Sequence, residues 1–213
     1  MRNKRNPYQR RLDIIRNAGM LFRTNNYENT TINEIITSLK IAKGTFYHYF
    51  SSKEELLEAV VEDIIDEELK RKKELMNLDY VKNLTALEKL KFIIMDDAIA
   101  SDNDNIFNSL HNPENAMMYT KQLGRYITKL APLYASIFKQ GCDEGVFKTD
   151  HPLECAEFII AGIKYITDSG FYSWNNVQLN RRIRAIPFLI DAQLGALSGT
   201  FSFLTKNKII NKE

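Results

Sequence analysis

Hydrophobic positions recur along this chain at three- and four-residue spacing, and no alternating stretch is long enough for a strand. In RRLDIIRNAGMLF, the residues Leu12, Ile15, Ala18, Leu21 and Phe22 fall on one stripe. The stripe predicts a helix that stops at NNY, where Asn26 can take the left-handed conformation that ends helices. In the following TINE, Thr31 caps a new helix and Glu34 reaches back to the Thr31 amide, a capping box. That helix is short, about 32–38, with Ile32, Ile35 and Ile36 inward. A second short helix begins near Lys43 and ends at Phe50, because Ser52 and Glu55 offer another capping box. A long helix then covers 53–76, with Leu56, Val60 and Ile64 in one row and Leu57, Val61 and Ile65 in the next.

The remaining sequence is helical too. Thr85 and Glu88 open a helix bearing Leu87, Leu90 and Ile94 that reaches about Ala100, and SDNDN at 101–105 reads as a loop. A helix starts at HNP, 111–113; Pro132 suits the first turn of another and Gly145 its end. Pro152 opens one running to about Tyr172 with Ala156, Ile159, Ile160 and Ile163 on its stripe. A last helix covers about 179 to the high 190s, with Pro187 either kinking it or lying in its first turns. The expected fold class is therefore all-α.

KGTFYHYFSSKEEL, 43–56, departs from ordinary helix composition: four aromatic rings surround His48 between two lysines. Two short helices joined by SLKIA make a helix-turn-helix candidate, in which the second helix enters a DNA major groove. Phe46 and Phe50, at i and i+4, can anchor its inner face. Tyr47, His48 and Tyr49 carry hydrogen-bonding tips outward, and Lys43, Gly44 and Thr45 form its first turn. Gly44 allows close backbone approach, and Thr45 can touch a phosphate or a thymine methyl. Lys53 opens the next helix, where the dipole disfavours a cation, so a phosphate is its expected partner. Charge agrees. Residues 1–53 hold ten Lys or Arg against three Asp or Glu, a net +7, and the other 160 hold 19 against 24, a net −5.

Residues 30–61, TTINEIITSLKIAKGTFYHYFSSKEELLEAVV, resemble the DNA-binding region of the tetracycline-repressor (TetR) family. The match lies on Thr30, Thr31, Ile32, Ile35, Gly44, Thr45, Phe46, Tyr47, Tyr49, Phe50, Ser52, Lys53 and Leu56, with Ile14, Ala18, Leu21, Phe22 and Tyr27 upstream. It covers roughly 8–60; QGCDEGVF at 140–147 and the long helices after it look like the family's second domain. In this chain Lys40 stands where the family usually has Gly, Ala42 where it has a capping Ser or Thr, and Ile36 and Leu39 replace alanines. A less well capped recognition helix follows, and Lys40 adds a phosphate contact. The DNA-contacting set expected is Thr31, Lys40, Lys43, Gly44, Thr45, Tyr47, His48, Tyr49 and Lys53. The resemblance implies a three-helix DNA-binding domain at 1–52 and a larger helical ligand-binding and dimerisation domain at 53–213. It further implies a homodimer that binds a palindromic double-stranded operator as a repressor and is released by a small-molecule effector. The stripe at 156–163 and RAIPFLIDAQLGAL would form the dimer's four-helix bundle; from the residues alone they could equally close an intrachain core.

Phe107, Tyr126, Tyr165 and Asp168 are the candidates for the ligand site, which would be mostly apolar with a few polar groups. Control by a protein partner without a small molecule is the alternative, and a helical enzyme or carrier the remote one. No nucleophile elbow, phosphate loop or metal motif appears, so no enzyme, cofactor or metal is expected. His111 reads as a loop or capping residue, His151 as a helix start, and the pairs Asp96–Asp97 and Asp143–Glu144 as solvated faces. Cys142 and Cys155 are too few for a disulfide framework and read as packed free thiols. The best apolar run, FIIAGI at 158–163, falls far short of the roughly 18 residues of a membrane span. With no secretory signal in view, a cytoplasmic location is expected.

Overall fold

The computed structural model describes residues 6–99, 104–168, 170 and 172–206, and for 97–99, 104–105 and 206 the backbone alone. The chain forms α1 (Pro7–Asn25), α2 (Ile32–Leu39), α3 (Lys43–Tyr49), α4 (Lys53–Met76), α5 (Asp79–Lys82), α6 (Ala86–Ile99) and α7 (Asp104–Ser109). A 3-10 turn at Pro113–Asn115 leads into α8 (Ala116–Asp143), α9 (Pro152–Ile166), α10 (Asn176–Gln193) and α11 (Phe203–Lys206). There is no strand among the described residues, and the fold is all-α.

Short polar sequences place the helix starts by satisfying free amides. Thr31 Oγ1 accepts from the Glu34 amide at 3.2 Å, and Glu34 Oε2 accepts from the Thr31 amide at 2.6 Å, closing the box at α2. Thr85 and Glu88 do the same at α6. At α4 the reciprocal half is displaced: Ser52 Oγ accepts from the Glu55 amide, but the Glu55 carboxylate takes the Ser51 amide and hydroxyl instead. These hydrogen bonds hold the Glu34, Glu55 and Glu88 carboxyls below their ordinary range. Asn26 ends α1 with φ 63° but ψ 157°, a positive φ outside the left-handed helical well.

Several boundaries differ from the sequence pattern. Pro132 starts no helix; it lies inside the 28-residue α8. Proline removes one intrahelical bond, but the apolar stripe continues through it, with Leu130 and Ala131 buried before it and Ile137 and Phe138 after. Of the two positions left open for Pro187, the structure has the interior one, within α10. The helix α9 ends at Ile166 rather than near Tyr172. Of the expected loop 101–105, the first three residues lie outside the described ones, while Asp104 and Asn105 already belong to α7. Asp143 and Glu144 are exposed, as expected, but Glu144 and Asp96 also make contacts with distant segments. Glu144 caps α6, accepting from the Ala86 amide at 3.0 and 3.2 Å, and Asp96 pairs with Arg71. Asp97 falls among the backbone-only positions.

Packing divides the chain into two units, one of Met1–Glu68 with Asp102–Gln122, the other of Leu69–Ser101 with Leu123–Glu213. The first buries Ile14, Ala18, Phe22, Ile35, Phe46, Phe50, Leu56, Leu57, Val61 and Ile106. The second is built around Leu90, Ile93, Phe138, Phe147, Ala156, Ile186, Ile190 and Phe201. Gly141 is required there, since a Cβ would lie 2.2 Å from the Phe147 ring. Buried Asp191 binds the amides of Gly199 and Phe201, fixing the turn before α11. Both cysteines are free thiols, and Thr149 joins them: Cys142 Sγ donates to its carbonyl, and Cys155 Sγ lies 3.2 Å from its hydroxyl. A division by packing is not one by role, and the boundary at residue 52 is a proposal about role.

Candidate nucleic-acid interface

The unit containing α1–α3 holds a short helix by its inner face and leaves the other face open. Phe46 and Phe50 are fully buried, with ring centroids 6.1 Å apart, and Arg11 lies 4.9 Å over Phe50. Ile35 anchors α2 beside them, and Ser38 Oγ donates to Asn17 Oδ1 at 2.6 Å, tying α2 to α1. The opposite face of α3 carries Lys43, Gly44, Tyr47 and His48, all exposed, with Thr45 and Tyr49 half-buried. Lys43 Nζ stands 5.9 Å over the Tyr47 ring, and the His48 and Tyr49 rings meet edge-on at 4.9 Å. These contacts pre-order the polar tips without burying them.

Gly44 keeps the start of this helix open. A Cβ there would meet no atom of the chain within 4 Å, and Gly44 is not among the positive-φ glycines. A glycine inside a helix costs about 0.5–1 kcal/mol relative to alanine. Neither packing nor conformation within the chain requires glycine here, as is also true of Gly124 and Gly162 in the longer helices, but Gly44 alone of the three lies in the first turn of α3, beside the exposed Lys43, Tyr47 and His48.

The turn between the helices shows both departures from the usual pattern. Lys40 adopts φ 51°, ψ 46°, the left-handed region, while its amide donates to Thr37 O and that of Ile41 to Ile36 O. Ala42 gives α3 no side-chain cap. A Cβ in the left-handed region is strained. Lys40→Gly is therefore expected to raise stability by about 1 kcal/mol in urea unfolding. It should also lower the salt slope of DNA binding by about 1 if the ammonium meets a phosphate. An unchanged stability would show that the turn carries no strain.

Two expected contact residues are already engaged. The amide and hydroxyl of Thr31 belong to the capping box. Lys53 does not lack protein partners, and that part of the expectation is corrected. Its Nζ donates to Tyr27 O at 2.7 Å and Glu28 O at 3.3 Å, and stands 4.1 Å from the Tyr27 ring centre. The carbonyls and the ring compensate for a cation at a helix start, and partial burial lowers its pKa. Tyr27, itself buried, donates to Glu54 Oε1, and burial, with the Glu54 charge next, pushes its hydroxyl pKa far up. Nothing in the spacing of the sequence signals this cluster, because its members lie 25 to 27 positions apart.

Two family descriptions match the chain: bacterial regulatory proteins of the tetR family over residues 14–60, and the tetracyclin repressor-like C-terminal domain over 98–187. Together they take in more than half of it.

The chain belongs to the TetR family.

It is a DNA-binding transcriptional regulator, and the family consists of regulators rather than enzymes. The HTH-type transcriptional repressor KstR2 of Rhodococcus jostii is 25% identical over 152 residues, 69% of this chain and 72% of that one. A transcriptional regulator from Cytophaga hutchinsonii shares the fold, with TM-score 0.64 and 20% identity, over 85% of this chain and 95% of that one. So does RolR, solved with resorcinol bound, with TM-score 0.63 and 19% identity, over 94% and 95%.

In this TetR-family chain the four ligand-site candidates are not gathered in one unit. Phe107 is half-buried on α7, in the first unit, whereas Tyr126, Tyr165 and Asp168 lie in the second. Lys164 Nζ covers the Tyr126 ring at 4.7 Å. Tyr165 meets Tyr172 edge-on at 5.5 Å, and Asp168 Oδ1 accepts from the Gly170 amide. The first unit contains a cleft of about 320 Å³ between α1 and α4, lined by Ile15, Gly19, Val60 and Ile64 and by the charged Arg16, Arg23, Asp63 and Glu67. Burial raises the Asp63 pKa. Half of the cleft's lining residues are charged, unlike the mostly apolar ligand site expected. Among the described residues no helix is long and apolar enough to cross a membrane, and no three side chains are grouped to hold a metal.

The apolar stripe assigned to dimerisation is the inward one. Ala156 is buried, and Ile159, Ile160 and Ile163 pack on the second unit's core. The exposed apolar residues of these helices are different ones: Phe158, at 68% exposure, with Leu153, Tyr165 and Ile166 on α9, and Phe188, at 63%, with Val177 and Leu189 on α10.

Proposed function

We propose that this regulator binds a pseudo-palindromic operator as a homodimer and is released by a small organic molecule held by its C-terminal helices. The observation that carries the DNA reading is the outer face of α3, a short helix anchored by buried Phe46 and Phe50, on which Lys43, Tyr47 and His48 are exposed around a Gly44 whose first turn is open to close approach. A phosphate backbone or a base edge fits against that first turn. Lys43, Thr45 and His48 meet base edges; Tyr47, Lys40 and Lys53 meet phosphates. The exposed faces of α9 and α10 form the dimer contact, since large apolar patches on a soluble chain mark interaction surfaces.

Release needs a path from the ligand to the DNA-binding helices. Residues 104–122 pack in the same unit as α1–α3. There α7 lies against α1, and Asn112 Nδ2 donates to Glu28 Oε1 at 2.6 Å, beside the Glu28 carbonyl that accepts from Lys53. A ligand that shifts 104–122 thereby acts on the turn that carries the DNA-binding helices. The resorcinol complex supports the reading as far as the fold goes.

The test is selection from random duplexes followed by footprinting. A pseudo-palindrome with two protected half-sites about one helical turn apart is expected. A single asymmetric half-site at saturating protein would refute the dimeric reading, and failure to enrich any sequence would refute the regulator itself.

A further inference from the structure

Among the described residues, the buried side-chain nitrogen and oxygen atoms without a hydrogen-bond partner are Nε2 and Oε1 of Gln122. Gln122 is 2% exposed on α8, within the first unit. Its neighbours in sequence show that buried polar groups here are otherwise provided for. Asn115 Nδ2 donates to Ser109 O at 2.8 Å, and Ser109 Oγ donates to Ile106 O at 2.6 Å. Thr30, also buried in this unit, donates to Asn26 O at 2.8 Å. Asn115, Met118 and Gln122 follow one another at i, i+3 and i+7, so Gln122 occupies an inward position of the helix. A leucine there would avoid the penalty of a dry amide. An orphaned buried group calls for a specific explanation.

We propose that Gln122 is the hydrogen-bonding anchor of the effector site. The effector is then an otherwise apolar small molecule with an adjacent donor and acceptor, such as an amide, lactam, imide or undissociated acid. The reading rests on the ligand-released regulator proposed above. A primary carboxamide offers one acceptor and two donors in a plane, and it pairs bidentately with an edge of the same kind. Being neutral, it discriminates by hydrogen-bond pattern rather than by charge: an analogue lacking the edge leaves both amide ends unpaired and is rejected. Asn115 does not compete for the ligand, because its amide is held by Ser109.

The test uses the full chain with benzamide, δ-valerolactam and succinimide as probes and toluene as the control without the edge. Binding is read by saturation-transfer NMR and thermal shift on wild type, Gln122→Leu and the nearly isosteric Gln122→Met. Without a probe, both variants are expected to melt higher than wild type, since they remove the orphaned amide. At least one amide probe should bind wild type and bind both variants at least tenfold more weakly, while toluene shows no such difference. Equal binding to wild type and variants, or no binding of any amide probe to wild type, overturns the assignment. So does a lower melting point or loss of folding in both variants, which would show that the amide is bonded inside the protein. Operator retardation on the same preparations separates the two claims. Loss of all operator binding by wild type sinks the regulator reading, whereas intact operator binding with probe-indifferent variants sinks the anchor alone.

Discussion

Phe188→Glu is expected to yield monomers in sedimentation velocity and to weaken operator binding by roughly 10²–10⁴. Phe188 is among the most exposed large apolar residues of α10, and burying such a ring contributes about 1.5–3 kcal/mol. In a two-fold contact the substitution occurs twice, and each new carboxylate is desolvated without a partner. The operator loss follows from avidity, because a monomer holds one half-site where the dimer held two. Phe158→Glu on α9 should behave alike. Ile160→Glu should not: that residue packs on the core of its own chain, so its expected outcome is loss of folding. A Phe188→Glu protein that remains dimeric with unchanged operator affinity would place the interface elsewhere.

Lys53→Ala is expected to cost about 2–3 kcal/mol of stability in urea unfolding and to lower the salt slope of DNA binding by about 1. The stability loss comes from two charge-assisted hydrogen bonds, to Tyr27 O and Glu28 O, and from the contact with the Tyr27 ring. The slope change comes from the third ammonium proton, which those carbonyls leave available for a phosphate. Because a phosphate contact carries no sequence information, operator and random duplex should lose affinity alike. Stability loss with an unchanged slope would reduce Lys53 to a strut between the end of α1 and the start of α4. A selective loss on the operator would show that it reads bases.

The DNA-binding half was legible in the sequence because its determinants are local. Helix periodicity, the Thr31–Glu34 box and the Phe46–Phe50 pair each act over three or four residues, the range over which side-chain pattern reports structure. Misreadings fell where distant segments decide. Pro132 looked like a helix start, but the apolar stripe on either side outweighs one missing hydrogen bond. Glu144 is exposed, as read, but no spacing showed that it also caps a helix 58 positions away.

The sequence by itself determined the all-α class, the helix-turn-helix and the family, since spacing and composition within short windows are enough for each. Only the tertiary structure decided which apolar stripe faces inward. Ile160 and Phe158 are equally hydrophobic and two positions apart, and the core that packs on one and spares the other is assembled from α6, α8, α9 and α10 together. It alone gave Lys53 its carbonyl partners and left Gln122 buried without one. Burial and hydrogen-bond satisfaction depend on residues brought together in space, and no spacing along the chain encodes them.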